Sequence, residues 1–306
     1  MSGSPSVLVT GASGFVGRRV VERLERQAAE VTRIDHAWAS AAELEAAVGS
    51  RPFDRAIHLG WYARPDDYLT AVAPNLRSLD ASLELVALLG ARECRSLVVA
   101  GTCAEYRPAG ERLRETDPIE PWSVYGAAKA ALHVLLDSSL RPTGLQVTWA
   151  RLFNLTGPGE RAERLVPSVV RALADGQAVD LSPGDQVRDF LDVDDVAGAL
   201  VHLATAGVDG PVNVCRGEGV ALRDLFEQIA DRVAAQAPSG SGDPGRTREL
   251  LRFGARSYGA HDPMYTVGDA SRLGATGWEP TYSTSAMIDR VVALWLDAPT
   301  RKASTG

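Results

Sequence analysis

Short, almost continuously apolar runs alternate with helix-length segments through the first half of the chain. Residues 7–10, 31–34, 56–59, 97–100 and 147–150 are apolar at nearly every position, as strands covered on both faces must be. Between them, 16–26, 43–48, 76–89 and 125–136 carry apolar side chains at helical spacing. Regular strand–helix alternation predicts an α/β fold with a doubly wound parallel sheet. The second half is less regular. Segments 165–175, 194–204 and 222–233 have helical spacing and 212–214 reads as a short strand. The run 235–247, rich in Gly, Pro and Ser, predicts an exposed loop, and the tail from 303 a frayed end. No internal repeat is present.

Composition narrows the class. A chain of 306 residues with 45% hydrophobic and 23% charged residues has the makings of a folded core. A net charge of −7 argues against nucleic acid or an anionic membrane as the main partner. No apolar run approaches the ~20 residues that span a bilayer. The polar N-terminus leads straight into a strand, which predicts no signal peptide. Cys94, Cys103 and Cys215 lie far apart without metal-ligand spacing, so no metal site is expected, and their odd number suits a reducing cytoplasm. Of 32 basic residues only Lys129 and Lys302 are lysines. Codon bias accounts for the arginines, and it makes Lys129 stand out as a place where a compact ammonium is required.

The first strand runs into Gly11-Ala12-Ser13-Gly14-Phe15-Val16-Gly17 and then a helix. Glycines there permit a tight turn and close approach of a pyrophosphate to the backbone, and the helix N-terminus supplies N–H donors. With 29 glycines the pattern alone is weak, but its position in the first strand–turn–helix unit points to a dinucleotide. Asp35 closes the second apolar run. An acid there accepts hydrogen bonds from the adenosine ribose and repels a 2′-phosphate, favouring NAD over NADP. Arg18, Arg19 and Arg33 nearby offer the opposite choice, a 2′-phosphate site. His58 follows Asp35 by only 23 residues, too few for a further strand and helix. Asp35 therefore either ends the second strand or stands in for the acid of the next.

Tyr125 and Lys129 stack at i and i+4 where a helix opens. A free tyrosine has a pKa of ~10, too high for acid–base work at neutral pH. A neighbouring ammonium, with an oxidised nicotinamide, lowers it. The same spacing also occurs in ordinary surface helices; the scarce lysine behind a dinucleotide loop favours the chemical role. Thr102 lies just past the strand 97–100, at the carboxyl edge where ligands of such sheets bind, and serves either a substrate oxygen or the turn itself.

These pieces together resemble the extended short-chain dehydrogenase/reductase family of NAD-dependent nucleotide-sugar epimerases, dehydratases and reductases. The resemblance runs over roughly 6–295 and rests on VTGASGFVG at 9–17, HLG at 58–60, Asn75, GTCAEY at 101–106, YGAAK at 125–129, RLFNLTGPGE at 151–160, LVPSVV at 165–170 and VRDFLDVDDVAGAL at 187–200. It implies a Rossmann-type domain over 1–155, with a returning segment near 185–215, and a smaller C-terminal α/β substrate-binding lobe over 156–306. It implies catalytic roles for Thr102, Tyr125 and Lys129. Gly11, Gly14, Phe15, Val16, Gly17, Asp35, Leu59, Gly60, Asn75 and Leu152 become cofactor contacts together with Tyr125 and Lys129. Asn154, Val166 and Arg188 join Thr102 as substrate contacts; Arg188 follows the turn 182–185 and precedes an apolar helix opening, with Asp189 or Asp192 as alternative ion-pair partners.

Two departures shape the expected activity. Dehydratases of the family follow the catalytic Thr with an Asp-Glu pair, and decarboxylases keep the Glu; here Cys103 and Ala104 stand there. Tyr258-Gly259 stands where many relatives carry a phosphate-binding Tyr-Arg. The expectation is an NAD(P)H-dependent ketoreductase of a nucleotide-activated keto-deoxysugar, using NAD with NADP still open, and a homodimer paired through 76–89 and 125–136. The rivals are a nucleotide-sugar 4-epimerase, a ketoreductase of a ketone without a nucleotide, and a non-enzymatic dinucleotide sensor.

Overall fold

A computed structural model of the chain describes residues 4–35, 41–140, 144–236, 243–259 and 262–297. In chain order the first half comprises β1 (Ser6–Thr10), α1 (Gly17–Arg26), β2 (Glu30–Ile34), α2 (Ala41–Val48), β3 (Arg55–His58), α3 (Val72–Ala91), β4 (Ser96–Thr102), α4 (Val124–Leu140) and β5 (Gln146–Leu152). Then come β6 (Asn154–Thr156), α5 (Leu165–Ala174), β7 (Val179–Leu181), β8 (Val187–Asp192), α6 (Val193–Ala206), β9 (Gly210–Val214) and β10 (Gly219–Ala221). The chain closes with α7 (Leu222–Gln236), α8 (Pro244–Glu249), β11 (Leu251–Phe253), β12 (Tyr265–Thr266), α9 (Ser271–Gly274) and α10 (Thr284–Asp297).

The large sheet is parallel throughout, in the order β2-β1-β3-β4-β5-β9. Its strands alternate between two apolar layers, as a period of two requires. Val7, Val9, Ile57 and Val98 face α1 and α6, whereas Leu8, Ala56, Leu97 and Val99 face α2, α3 and α4. The central strands are therefore apolar on both faces, while the edge strand β2 carries Glu30, Thr32 and Arg33, and the first five runs and four helices predicted from sequence are all present. α3 begins earlier than expected, at Val72, because Pro74 falls in its first turn, where a missing N–H breaks no helical bond. Among the described residues one helix, α2, lies between β2 and β3; β2 is an edge strand of the sheet and Asp35 lies directly beyond it.

The chain returns to the large sheet through α6 and β9, after building a smaller lobe. There β8 pairs in parallel with β6 and β12 and antiparallel with β10, while β7 pairs with β11. These strands hold two to six residues each, and sequence patterning revealed none of them. Arg188, expected ahead of a helix opening, sits within β8. The lobe's core lies among α5, α7 and α10, with Val169, Leu225, Ile229 and Val292 fully buried. Of the loop expected over 235–247, residues 237–242 lie outside the described residues, as does the tail from 303. Pro244–Glu249 is not loop but a helical turn, α8, capped by the Asp243 side chain on the Gly245 amide at 2.9 Å.

One buried acid locks the lobe to the sheet. Asp189, without solvent exposure, accepts the amides of Arg216 (2.9 Å), Gly217 (2.8 Å) and Gly268 (3.3 Å). An unpaired buried donor costs ~1–3 kcal/mol. Asp189→Ala is expected to lower unfolding free energy by roughly 3 kcal/mol or more, read from urea denaturation; a loss below ~1 kcal/mol would mean the three amides find other partners.

Candidate active site

A cleft of about 1220 Å³ opens over the carboxyl ends of β1, β3, β4 and β5 and is closed on its far side by the small lobe. It forms where strand order reverses on either side of β1, because β2 and β3 leave from opposite flanks and their loops part there. Gly11, Gly14, Phe15, Val16, Gly17, Asp35, Leu59, Gly60, Leu152, Thr102, Tyr125, Lys129, Asn154, Val166 and Arg188 all line it. Of the residues expected at the site only Asn75 does not. It is fully buried behind the wall, giving its amide to the Tyr68 and Ala71 carbonyls (2.8 Å each) and accepting from Trp61 Nε1 at 2.8 Å. Its place is that of a support for Trp61.

The loop after β1 has the shape a pyrophosphate needs. Gly11 has φ +65°, and a Cβ on Gly17 would overlap the Gly11 carbonyl. No side chain caps the start of α1 and no acid stands in its first turn. The positive end of the helix is thus left for an anion. The neighbouring HLG turn is fixed by Thr10, whose hydroxyl accepts the Leu59 and Gly60 amides (3.2 and 3.1 Å) and bonds His58 Nδ1 at 2.6 Å. His58 Nε2 meets Ser82 at 2.8 Å, and burial pushes its pKa down to about 3, so the ring is a neutral strut.

Asp35 Oδ1 accepts the Ser13 amide at 2.6 Å, which ties the end of β2 to the glycine loop. The three arginines that offered a 2′-phosphate site are occupied. Arg18 bonds the Gly159 carbonyl at 2.6 Å, Arg19 the Pro158 carbonyl at 3.1 Å, and Arg33 pairs with Glu25. The first two clasp the 157–160 loop onto α1.

At the reacting end, Thr102 and Tyr125 line the cleft together, and Thr102 acts on the Tyr125 phenol. Lys129 is 2% exposed, and burial lowers its pKa to about 7. Its ammonium donates to the Ala100 carbonyl at 2.7 Å and lies 3.9 Å from the centroid of the Trp61 ring. It therefore turns away from the phenol, and the lowering of Tyr125 expected from a lysine beside it is absent from the protein's own groups. Burial, followed by the nearby Tyr68, pushes the Tyr125 phenol well above its ordinary value instead. Burial also drives the Cys103 thiol up to about 12, so it is neutral at physiological pH.

The opposite end of the cleft is rich in arginine. Arg188 donates weakly to Thr266 Oγ1 (3.4 Å) and to its own carbonyl-bearing neighbour Val187 (3.2 Å). Neither expected alternative partner takes it: Asp189 is held by three amides and Asp192 pairs with Arg290 at 3.2 Å. Arg161 and Arg164 also face the cleft, and the buried Gln186 Nε2 there has no hydrogen-bond partner. Glu160, pushed up to about 7 by burial, accepts from Thr156. Sequence inspection missed Trp61, Gln186 and Glu160, although the last lies inside a quoted motif. Among the described residues no group of three or more metal-ligating side chains occurs, and no helix is long and apolar enough to cross a membrane.

Residues 7–215 match the pattern of the NAD dependent epimerase/dehydratase family. The chain belongs to that family. Among NAD-dependent epimerase/dehydratase relatives, a dTDP-glucose 4,6-dehydratase of Neisseria meningitidis is 30% identical over 188 residues, 61% of this chain and 53% of that protein. A GDP-6-deoxy-D-mannose reductase of Pseudomonas aeruginosa is 29% identical over 182 residues, 57% of this chain and 56% of that protein. The chain thus spans about half the length of these relatives. Among solved structures, the NAD complex of Thermus thermophilus UDP-glucose 4-epimerase superposes with a TM-score of 0.82 at 24% identity, over 96% of this chain and 99% of that one. That likeness is one of fold.

Proposed function

We propose that the protein is an NAD(P)H-dependent ketoreductase of a nucleotide-activated keto-deoxysugar. The observation that carries this reading is the content of the turn after β4. Thr102 and Tyr125 stand together at the cleft floor, and the two positions that follow Thr102 hold a neutral thiol and a methyl group. Oxidation and reduction need no further acid or base there, whereas loss of water does. A tyrosine held as a phenol is also the form a reductase uses first, because it gives its proton to the carbonyl oxygen.

The glycine loop and the uncapped start of α1 fit a pyrophosphate, Asp35 fits an adenosine ribose, and Lys129 lines the same cleft, where a change of rotamer would bring its ammonium to a second ribose and the phenol. When bound, the nicotinamide supplies the hydride. Thr102 orients the substrate carbonyl, Tyr125 releases its O–H proton to the oxygen, and Lys129 stabilises the phenolate left behind. Arg188, Arg161, Arg164 and the unsatisfied Gln186 amide offer charge-assisted and neutral donors for a diphosphate and the groups attached to it. The dehydratase, reductase and epimerase among the relatives carry names of nucleotide-sugar enzymes, which agrees with such a substrate. We place the protein in the cytoplasm as a homodimer. Val72 and Leu76 on α3 and Val134 and Leu135 on α4 are 57%, 53%, 62% and 44% exposed, and α3 and α4 pack side by side, which supports these two helices as the pairing surface.

Incubation with a 4-keto-6-deoxy sugar nucleotide should consume reduced cofactor stoichiometrically and yield a hydroxyl product. Tyr125→Phe should retain cofactor binding and lose ~10²- to 10⁴-fold in kcat. NAD held through purification, with two sugar epimers interconverted and no net redox change, would overturn the reductase in favour of the epimerase. Wild-type protein should bind NADH more tightly than NADPH, and Asp35→Ala should narrow the gap in isothermal titration. Tighter binding of NADPH by the wild type would remove Asp35 from the ribose. Finally, Leu76→Glu with Val134→Glu should convert a dimer to a monomer in sedimentation velocity; a wild-type monomer sinks the pairing.

A further inference from the structure

Beneath Thr102 lies a carboxylate that the proton shuttle has no direct use for. A 3₁₀ turn over Cys103–Glu105 follows β4 and folds the Glu105 side chain back into the protein, away from the cleft. Glu105 has no solvent exposure. Its Oε1 accepts the Thr102 amide at 2.7 Å, Trp149 Nε1 donates to both oxygens (3.1 and 3.0 Å), and Arg151 Nε donates to Oε2 at 2.9 Å. Arg151 is itself held by the Tyr106 hydroxyl (2.9 Å) and the Glu115 carbonyl (3.2 Å). In return the Thr102 hydroxyl accepts the Ala104 amide at 3.2 Å, closing a reciprocal cap. Gly101 makes the room: a Cβ there would come within 2.8 Å of Oε1 and overlap Trp149 Nε1.

A buried ion pair is weak evidence for stability, since apolar groups of the same volume often serve as well. Its position is more informative. The Thr102 amide and hydroxyl are both bonded within this one turn, and the hydroxyl faces the Tyr125 phenol. Lys129 lies on the other side of the same strand end, bonded to the Ala100 carbonyl. The groups that bear on its ammonium are the neutral His58 from β3, the Trp61 indole and Glu105; of these only Glu105 brings negative charge.

Resting on the reading of Thr102, Tyr125 and Lys129 as the shuttle, we propose that Glu105 is its positioning residue. Anchored on Arg151, the carboxylate clamps the Thr102 amide and so sets its hydroxyl on the cleft floor with Tyr125, and its charge lies at the end of the strand whose Ala100 carbonyl holds the Lys129 ammonium. The cleft never sees Glu105; it acts through two residues that do line it.

The chain's lysine poverty supplies the test. Labelling with lysine carrying ¹³C at Cε gives two signals, and Lys302→Arg identifies that of Lys129. In Glu105→Gln, which keeps an oxygen for the Thr102 amide, the Lys129 titration midpoint should fall by about one unit. The pH limb of kcat assigned to the lysine should fall with it, while KM for reduced cofactor stays within about two-fold. Glu105→Gln also leaves Arg151 without its counter-ion. The pair Glu105→Gln with Arg151→Met therefore removes both charges, and the midpoint should drop in that variant too. A folded variant of either kind, by circular dichroism, with an unchanged midpoint overturns the proposal. Absence of turnover by the wild type on any keto-sugar nucleotide would remove the reductase reading, and the lysine titration would still decide whether Glu105 acts on Lys129.

Discussion

Two opposite charges, Glu105 and Arg151, are held 2.9 Å apart where the side chains are 0% and 2% exposed. Removing both from water costs several kcal/mol per ion, and only good geometry with every remaining hydrogen-bonding site filled offsets it. That requirement propagates outward. Trp149 must present its indole N–H to the carboxylate, and Gly101 must carry no side chain. Tyr106 must pass a hydrogen bond from Arg151 to Asn213 on β9 at 2.6 Å, and Asn213 in turn is held by the Leu113 carbonyl at 2.9 Å. The carboxyl ends of β4, β5 and β9 are thereby locked in register beneath the cleft floor. The cleft floor that holds Thr102 and Tyr125 thus rests on a layer with almost no conformational choice.

How much of this was legible follows from how each feature is encoded. The large sheet was plain because parallel strands buried on both faces give short apolar runs, here set at regular intervals between helix-length segments. The small lobe was opaque because β6, β7, β8, β10, β11 and β12 are short and take their partners from remote stretches, so no local period marks them. At the site, Gly11, Gly17, Tyr125 and Lys129 were visible through spacing and scarcity. Arg151 was hidden among thirty arginines, and Glu105 looked like any acid in a turn until its side chain was seen to point inward. Asn75 carried a family pattern that names a neighbourhood and not a direction; the helix turns its amide to the backbone. The direction of the Lys129 ammonium is likewise a rotamer choice, settled by the Ala100 carbonyl and the Trp61 ring and absent from an i, i+4 spacing.

Arginine does a second kind of work in this chain. Arg18 and Arg19 reach from α1 to two consecutive carbonyls of the 157–160 loop, Arg23 to the Asp194 carbonyl, and Arg290 to Asp192 and Asp194. A planar guanidinium with several fixed donors can satisfy carbonyls and carboxylates at once, where a lysine offers one point charge. These contacts bind the helix behind the glycine loop to the segment that leads into the small lobe. Whatever settles on the glycine loop is therefore mechanically joined to the wall on the substrate side.

The shortened path from β2 to β3 leaves the large sheet ending on a strand whose outer backbone groups have no neighbour in the sheet. Such an edge invites a second chain to add itself, the first step of uncontrolled aggregation. Here the edge is guarded by charge: Glu30 pairs with Arg51 and Arg33 with Glu25, so an incoming strand would have to break two ion pairs to lie flat. At the far edge, β9 has its Asn213 amide covered by the Glu115 carboxylate at 2.8 Å. Charge thus stands at both margins of the sheet, where a further strand would have to displace it before pairing.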